Sequence, residues 1–421
     1  MVFENSLAFA EKQDSLDPLA KFRNEFYFPQ HKGQDKLYFT GNSLGLQPKE
    51  AKSALNQELD DWAKYGVDGH FEAQNPWFSY HERFKDKLGQ VVGANAEEVT
   101  IMGGLTANLH FLMVSFFRPQ GKRCKILCEG KAFPSDQYAL ESQLKFHGLD
   151  PKRNLIELFP RDGEHHLREE DILEAIAQNG DEIALIMIGG VNYYTGQVMP
   201  MESITKAGHK VGAIVGFDCA HAAGNIGLKL HDWGVDFGAW CSYKYLNSGP
   251  GSTAGIFVHE RHAKKTDLPR FAGWWGTPPE DRFLMKPGFE ADYGADGWQL
   301  SNAPVLAMAV QDVALDLYLK AGRPNLLEKQ KNLTAYLAFT LEEVSKKHTK
   351  VNFEIITPKE RGSQLSILTH GSGKELFNYL TEHGVVADWR EPNVIRLAPV
   401  PMYNSFADVY GLGELIDKAL N

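Results

Sequence analysis

The chain has 421 residues, 43 % of them apolar and 23 % charged, with a net charge of −10. That length exceeds one ordinary core and calls for a large domain plus a smaller one, with the composition of a globular enzyme. An acidic chain without a basic cluster is a poor partner for nucleic acid or an anionic membrane, so positive charge for an anionic ligand must come from a few placed groups.

Residues 1–60 read as an N-terminal arm and approach segment. Met1 to Leu16 carries Glu4, Glu11, Lys12 and Asp14, which break the apolar region a signal peptide needs. No run of about 18 apolar residues exists, so no helix is expected to span a membrane, and a cytoplasmic protein is expected. Tyr38 to Gly45 reads as a short strand breaking into a glycine turn, and Pro48 to Tyr65 has helical apolar spacing. Gly103-Gly104 then precedes an amphipathic run, Leu109 to Phe116.

Short apolar runs now alternate with helical stretches. The runs are 125–128, 183–188, 213–217, 237–241 and 254–258; helix candidates between them include 135–146, 171–178 and 204–210. Continuous apolarity means strands buried on both faces, and alternation with helices means a mainly parallel α/β sheet. A large α/β domain is expected over 61–305. A long helical stretch from Pro304 leads into a small α+β domain, 306–421, with strands at 352–356, 364–368 and 393–397 and a helix at 374–382. The four cysteines (Cys124, Cys128, Cys219, Cys241) are too few for a disulfide framework and read as core thiols.

In such sheets ligands sit beyond the carboxyl ends of the strands. Lys244 follows the run ending at Cys241, between Tyr243 and Tyr245. A desolvated strand end offers the lowered pKa and fixed direction that a Schiff-base lysine needs, although a lone lysine there more often snorkels to water. Asp218 ends another strand; it suits the pyridine nitrogen of pyridoxal phosphate (PLP) and equally suits a helix N-cap. The two tips together favour the cofactor. Gly103-Gly104-Leu105-Thr106, a glycine turn into a helix N-terminus, offers its phosphate an anion site. Phe133, opening Phe133-Pro134-Ser135-Asp136, could stack on the ring or be a core residue.

With these motifs in place the sequence resembles the kynureninase family. The resemblance rests on Asp218-x-x-His221, Ser242-Tyr243-Lys244-Tyr245-Leu246-Asn247 and Phe133-Pro134-Ser135-Asp136. It also covers Gly41 to Pro48, Leu105 to His110, Tyr194 to Gln197, His231 to Asp236, Gly273 to Gly276 and Ser301-Asn302-x-Pro304, and so most of the chain. One departure is Gly189, where family members can carry a hydroxyl residue that bonds the cofactor.

The resemblance implies an aspartate-aminotransferase-like fold (PLP fold type I): a large domain with a mainly parallel sheet plus a small C-terminal α+β domain. It implies PLP-dependent hydrolysis of L-kynurenine or 3-hydroxy-L-kynurenine to anthranilate or 3-hydroxyanthranilate and L-alanine, in tryptophan catabolism or NAD biosynthesis. Lys244 would carry the cofactor covalently, and Asp218 would pair with its ring nitrogen, with His221 beside it. Leu105 and Thr106 would hold the phosphate, and Phe133, Pro134, Ser135 and Asp136 would line the ring. Tyr243 would contact the phosphate and relay protons. Trp274 and Asn302 would complete the cofactor site across the interface of a homodimer. Arg396 would bind the substrate carboxylate, with His70, Asn302 and Ser43 near the aromatic end.

Other readings are weaker. A cysteine desulfurase shares fold and cofactor but needs an exposed, mobile cysteine. A non-catalytic protein binding PLP or an aromatic amino acid has no need of Lys244, Asp218 and Arg396 together. The stretch His259-Glu260-Arg261-His262 places Ala263 where a helical zinc motif needs its second histidine, so no metal is expected.

Overall fold

A computed structural model describes residues 2–263, 265, 267–348, 352–371 and 373–421. Its main sheet has seven strands, β1 (Val99–Ile101), β2 (Lys125–Glu129), β3 (Leu155–Leu158), β4 (Ile183–Gly189), β5 (Ile214–Asp218), β6 (Phe237–Trp240) and β7 (Gly255–Val258). Their spatial order is β1-β7-β6-β5-β4-β2-β3. The pairings from β3 through β6 are parallel, while β7 runs against both of its neighbours.

The apolar runs explain the layering. Along β4, Leu185 and Met187 enter one buried cluster while Ile186 and Ile188 enter another, and along β2 Ile126 and Cys128 part from Leu127 in the same way. Side chains alternate across a strand, so a run apolar at every position feeds two cores. The expected strands are present to within a residue or two. Two strands of this sheet were missed: β1 is only three residues long, and β3 is a half-exposed edge strand. The reversed direction of β7 was not legible either.

The framing helices are α1 (Leu7–Leu16), α2 (Ala51–Tyr65), α3 (Leu105–Phe116), α4 (Pro134–Phe146), α5 (Val305–Ala321), α6 (Arg323–Lys347) and α7 (Phe406–Leu420). The helical run after Pro304 is two helices: Gly322, at φ +81°, ends α5, and Pro324 starts α6.

A second, antiparallel sheet has β8 (Asn352–Ile355), β9 (Leu365–His370), β10 (Asp388–Arg390) and β11 (Val394–Leu397) in the order β8-β9-β11-β10. Its core joins Leu333 and Leu337 of α6, Ile395 of β11, Leu412 of α7, and Phe9 and Ala10 of α1. Leu37 and Tyr38 pair in parallel with Val385 and Val386, and Thr40 bridges to Ala398. The start of the chain is thereby woven into its end.

Cys128, Cys219 and Cys241 are buried, as core thiols should be. Cys124 is not: it stands half-buried ahead of β2, with its thiol 3.2 Å from Asn154 Oδ1. The histidines of 259–262 serve two buried carboxylates. Glu98 accepts from the backbone N–H of Asn95 (2.9 Å) and Glu260 (2.8 Å) and lies 3.0 Å from His231 Nδ1, with His259 alongside. Asp236 holds His209 Nε2 and His262 Nε2, both at 2.8 Å, and accepts from Val215 N–H. These carboxylates have their donors in place, the condition for burying an acid.

Candidate active site

Parallel register puts acids side by side at one edge of the main sheet. Glu129, Gly189 and Asp218 are the last residues of β2, β4 and β5, and Asp218 pairs with Gly189. Asp218 is buried, and its Oδ1 accepts from Ala220 N–H at 2.6 Å. Asp136, in the first turn of α4, is buried within hydrogen-bond reach of Asp218. Burial, and then the charge of Asp218, hold the Asp136 carboxyl well above its ordinary range.

Glu129 is wholly buried, and desolvation pushes its pKa up to about 7 against the hydrogen bond from Asn192 Nδ2 at 3.2 Å. A Cβ on Gly189 would stand 3.0 Å from Glu129 Oε1. Gly189 offers no hydroxyl here, and Glu129 occupies the neighbouring space.

Cations face these acids. Lys244 is half-buried in the turn after β6, with Nζ 5.9 Å from the centre of the Tyr243 ring. The turn is pinned by Asn247 N–H on Lys244 O at 3.0 Å and by Gly45 N–H on Tyr243 O at 2.8 Å. Lys244 lies close enough to Asp136 to favour its ionised form, against the larger effect of burial. His221 is buried with Nδ1 unpartnered. Burial first, then the charges of Lys244, Arg396 and Arg390, keep it a neutral imidazole. Burial, then Cys241, raise the Tyr243 phenol, so it stays protonated and able to donate.

The helix N-terminus predicted for an anion is open. α3 starts at Leu105 with Gly104 as N-cap and no side-chain cap, and Gly103 takes φ +50° to make the turn. Leu105 and Thr106 are half-buried there. Phe133 is 41 % exposed at the N-cap of α4, edge-on to Tyr193 at 5.2 Å, with Pro134 opening the helix and Ser135 half-buried after it.

Arg396, on β11, is 1 % exposed. Its Nη1 donates to Tyr193 O at 2.6 Å, and its Nη2 is closely paired with Asp388. Lys244, Asp218, Asp136, His221 and Arg396 therefore share one electrostatic neighbourhood.

The remaining predicted residues lie apart from these in the chain's fold. His70 and Asn302 line a cavity of about 230 Å³ with Trp62 and Trp77. Trp274 lines another, of about 420 Å³. Neither cavity is lined by Lys244, Asp218 or Arg396. Ser43 is exposed, two residues before the glycine that rests on the Lys244 turn.

Sequence reasoning missed Glu129, Asn192 and Asp388. For Glu129 there was a signal, a lone acid closing an apolar run. Asp388 gave none, because its role depends on strand register.

PLP fits this donor set. It brings a phosphate for the open N-terminus of α3 and a protonated ring nitrogen for a cluster of buried acids, one of which, Asp136, leaves Oδ1 without a partner. Its aldehyde suits Lys244, which faces those acids.

Comparison with known proteins agrees in fold and family. A cysteine desulfurase of Escherichia coli superposes with a TM-score of 0.77 at 16 % identity, over 96 % of this chain and 98 % of that one. A cystine C–S lyase complexed with cysteine persulfide gives 0.76 at 17 %, over 91 % and 97 %. At such identity these establish the PLP fold type I architecture alone. Residues 326–416 match the kynureninase C-terminal domain model. The kynureninases of Flavobacterium psychrophilum (56 % identical) and Christiangramia forsetii (55 %) align over 100 % of this chain and 99 % of their own length. That of Koribacter versatilis is 50 % identical with the same coverage. Matched from end to end at this level, the chain belongs to the kynureninase family.

Proposed function

We propose that the protein is a PLP-dependent hydrolase that cleaves L-kynurenine, 3-hydroxy-L-kynurenine or both to an anthranilate and L-alanine. The observation that carries this reading is full-length identity of 50–56 % to kynureninases, over a site whose buried groups suit PLP and an amino acid. Cysteine desulfurases are relatives in fold only, and no thiol here suits that chemistry. Cys128, Cys219 and Cys241 are buried with thiols pushed up by desolvation, and Cys124 lies at the start of β2, the end opposite Glu129.

When bound, PLP supplies an aldehyde for the substrate amine and an electron-accepting ring. Asp218 holds the proton on the ring nitrogen, and Asp136 supports it. Leu105 and Thr106 offer N–H groups, and Thr106 a hydroxyl, to the phosphate. His221 stays neutral beside the ring, where its geometry rather than its charge counts. Phe133 offers its face to the ring, with Pro134 and Ser135 setting its backbone. Lys244, once its amine is free, takes the proton from the substrate Cα. A water oxygen bonds to the aryl ketone carbon, the bond from that carbon to Cβ breaks to leave the anthranilate carboxylate, and Tyr243, protonated and next to Lys244, would return a proton to Cβ. Arg396 receives the substrate carboxylate.

The reading extends to a homodimer. His70, Asn302 and Trp274 lie away from Lys244 in one subunit, and an apolar surface surrounds them. Trp62, Phe71, Trp274, Phe283 and Phe289 are all exposed, with Phe78 and Phe283 stacked at 5.7 Å. Exposed aromatic clusters of this kind mark interfaces. A second copy there would bring His70, Asn302 and Trp274 to its partner's lysine, with Ser43 at the rim of the same pocket. We place the enzyme in the cytoplasm, in tryptophan catabolism or NAD biosynthesis, and divide it at 1–60, 61–305 and 306–421. No described helix is long and apolar enough to cross a membrane.

The test is a visible spectrum of the purified protein, followed by addition of each substrate. A yellow band that is lost in Lys244→Ala, with alanine and a fluorescent anthranilate released, is the expected result. A yellow band without release sinks the hydrolase assignment.

A further inference from the structure

β10 and β11 pair so that Asp388 lies directly opposite Arg396, and Ser366 of β9 is opposite it on the other side. The carboxylate of Asp388 is thus delivered to the guanidinium by strand register, not by a mobile side chain. Its Oδ2 is shared: Arg396 Nη2 bonds it closely, and Arg390 Nη2 donates to it at 3.2 Å.

The other side of Arg396 is fixed as firmly. Tyr193 O, which accepts from Arg396 Nη1, also accepts from Gln364 Nε2 at 3.0 Å. Ser366 Oγ donates to Tyr194 O at 2.6 Å, and Asn42 Nδ2 donates to Gln364 Oε1 at 3.0 Å. Arg396 is held at both Nη atoms. Its Nε, and that of Arg390, are buried with no acceptor. Two guanidinium edges that converge on one carboxylate oxygen and each lack a partner call for an anion with more than one oxygen.

We propose that Asp388 is a positioning residue for the substrate α-carboxylate. It fixes the guanidinium of Arg396, brings Arg390 beside it, and cancels one of their two charges, so that the pair presents a single net charge to a single carboxylate. This rests on the reading of Arg396 as the carboxylate site. Asp388 touches neither substrate nor cofactor; it acts through the arginines.

The experiment compares holoenzyme variants on L-kynurenine and on its decarboxylated analogue kynuramine, with KM, kcat and the kynuramine inhibition constant as readouts. Asp388→Asn is expected to raise KM for L-kynurenine roughly tenfold, the worth of one charge-assisted hydrogen bond. It should keep kcat within about threefold and leave kynuramine inhibition unchanged. Asp388→Glu, which keeps the charge but moves it by one methylene, should fall between wild type and Asp388→Asn. It also gives the answer if Asp388→Asn fails to fold. An unchanged KM, tighter binding of L-kynurenine, or equal weakening of both ligands overturns the proposal. Arg396→Lys separates the two layers. If it leaves KM unchanged, the carboxylate assignment itself falls. If it raises KM while Asp388→Asn does not, only the role of Asp388 falls.

Discussion

Gly45 lies against the turn that carries Lys244: a Cβ there would stand 2.5 Å from Lys244 O and 2.3 Å from Asn247 Oδ1. Its own N–H donates to Tyr243 O at 2.8 Å. The glycine turn at 41–45 is therefore a backbone stop for the Lys244 turn: the Asn247 side chain could turn aside, but Lys244 O and Asn247 Cα, at 2.5 and 2.8 Å, are backbone. Gly45→Ala should cost about 1–3 kcal/mol by overpacking and displace Lys244. The expected outcome is a lower thermal midpoint together with a shifted or weakened visible band. An unchanged spectrum would mean that the turn yields without moving the lysine.

Glu129 makes the apoprotein sensitive to pH. Its folded pKa, about 7, lies above the ordinary 4.5. Below pH 4.5 both states are protonated and nothing is lost. Between 4.5 and about 7 the unfolded state ionises while the folded state resists, so stability falls as pH rises, by about 3 kcal/mol in all. Above that window the loss is complete. Apoprotein denaturation between pH 4 and 8 should show this slope in wild type and a flatter one in Glu129→Gln.

Different in origin is the effect of His231. The hydrogen bond to Glu98 raises the imidazole pKa above 6.5. Its stabilisation is full below pH 6.5 and disappears as pH rises through the folded value. His231→Ala should remove that dependence near neutrality. A variant with the same pH profile as wild type would show that Glu98 is served by its two backbone donors alone.

A shared site has a numerical signature. Lys244→Ala and Asn302→Ala, each impaired as a pure dimer, should complement when unfolded and refolded together. Each mixed dimer then holds one intact site, and a one-to-one mixture should recover about a quarter of wild-type activity. Phe283→Asp, on the exposed aromatic surface, should lower the mass measured by light scattering towards that of a monomer and reduce activity with it. Absence of complementation in a protein that does form dimers would place Asn302 in its own subunit's site.

Much of this was legible because burial on both faces writes itself as unbroken apolar runs, and the residues just past those runs become the rim of the site. Lys244 and Asp218 were singled out in that way, and the family resemblance added His221 and Asp136; the structure brings all four into one neighbourhood. What stayed hidden depends on distances along the sheet that no run records. The pairing of Asp388 with Arg396 follows from antiparallel register, and the contact of Asn192 with Glu129 needs two strand ends to be neighbours. The three residues of β1 are too few to show a period. His70, Asn302 and Trp274 could be named but not placed, since their proposed partner is another molecule.

The weaving of the first residues into the last has a consequence for biosynthesis. Leu37 and Tyr38 leave the ribosome roughly 350 residues before their strand partners Val385 and Val386, an interval on the order of tens of seconds at ordinary translation rates. During that time α1 lacks α7, and Phe9 lacks the cluster that buries it. The early segment waits as an unpaired, partly apolar stretch, a natural client for a chaperone, until the strand at Val385–Val386 and the α7 helix are made.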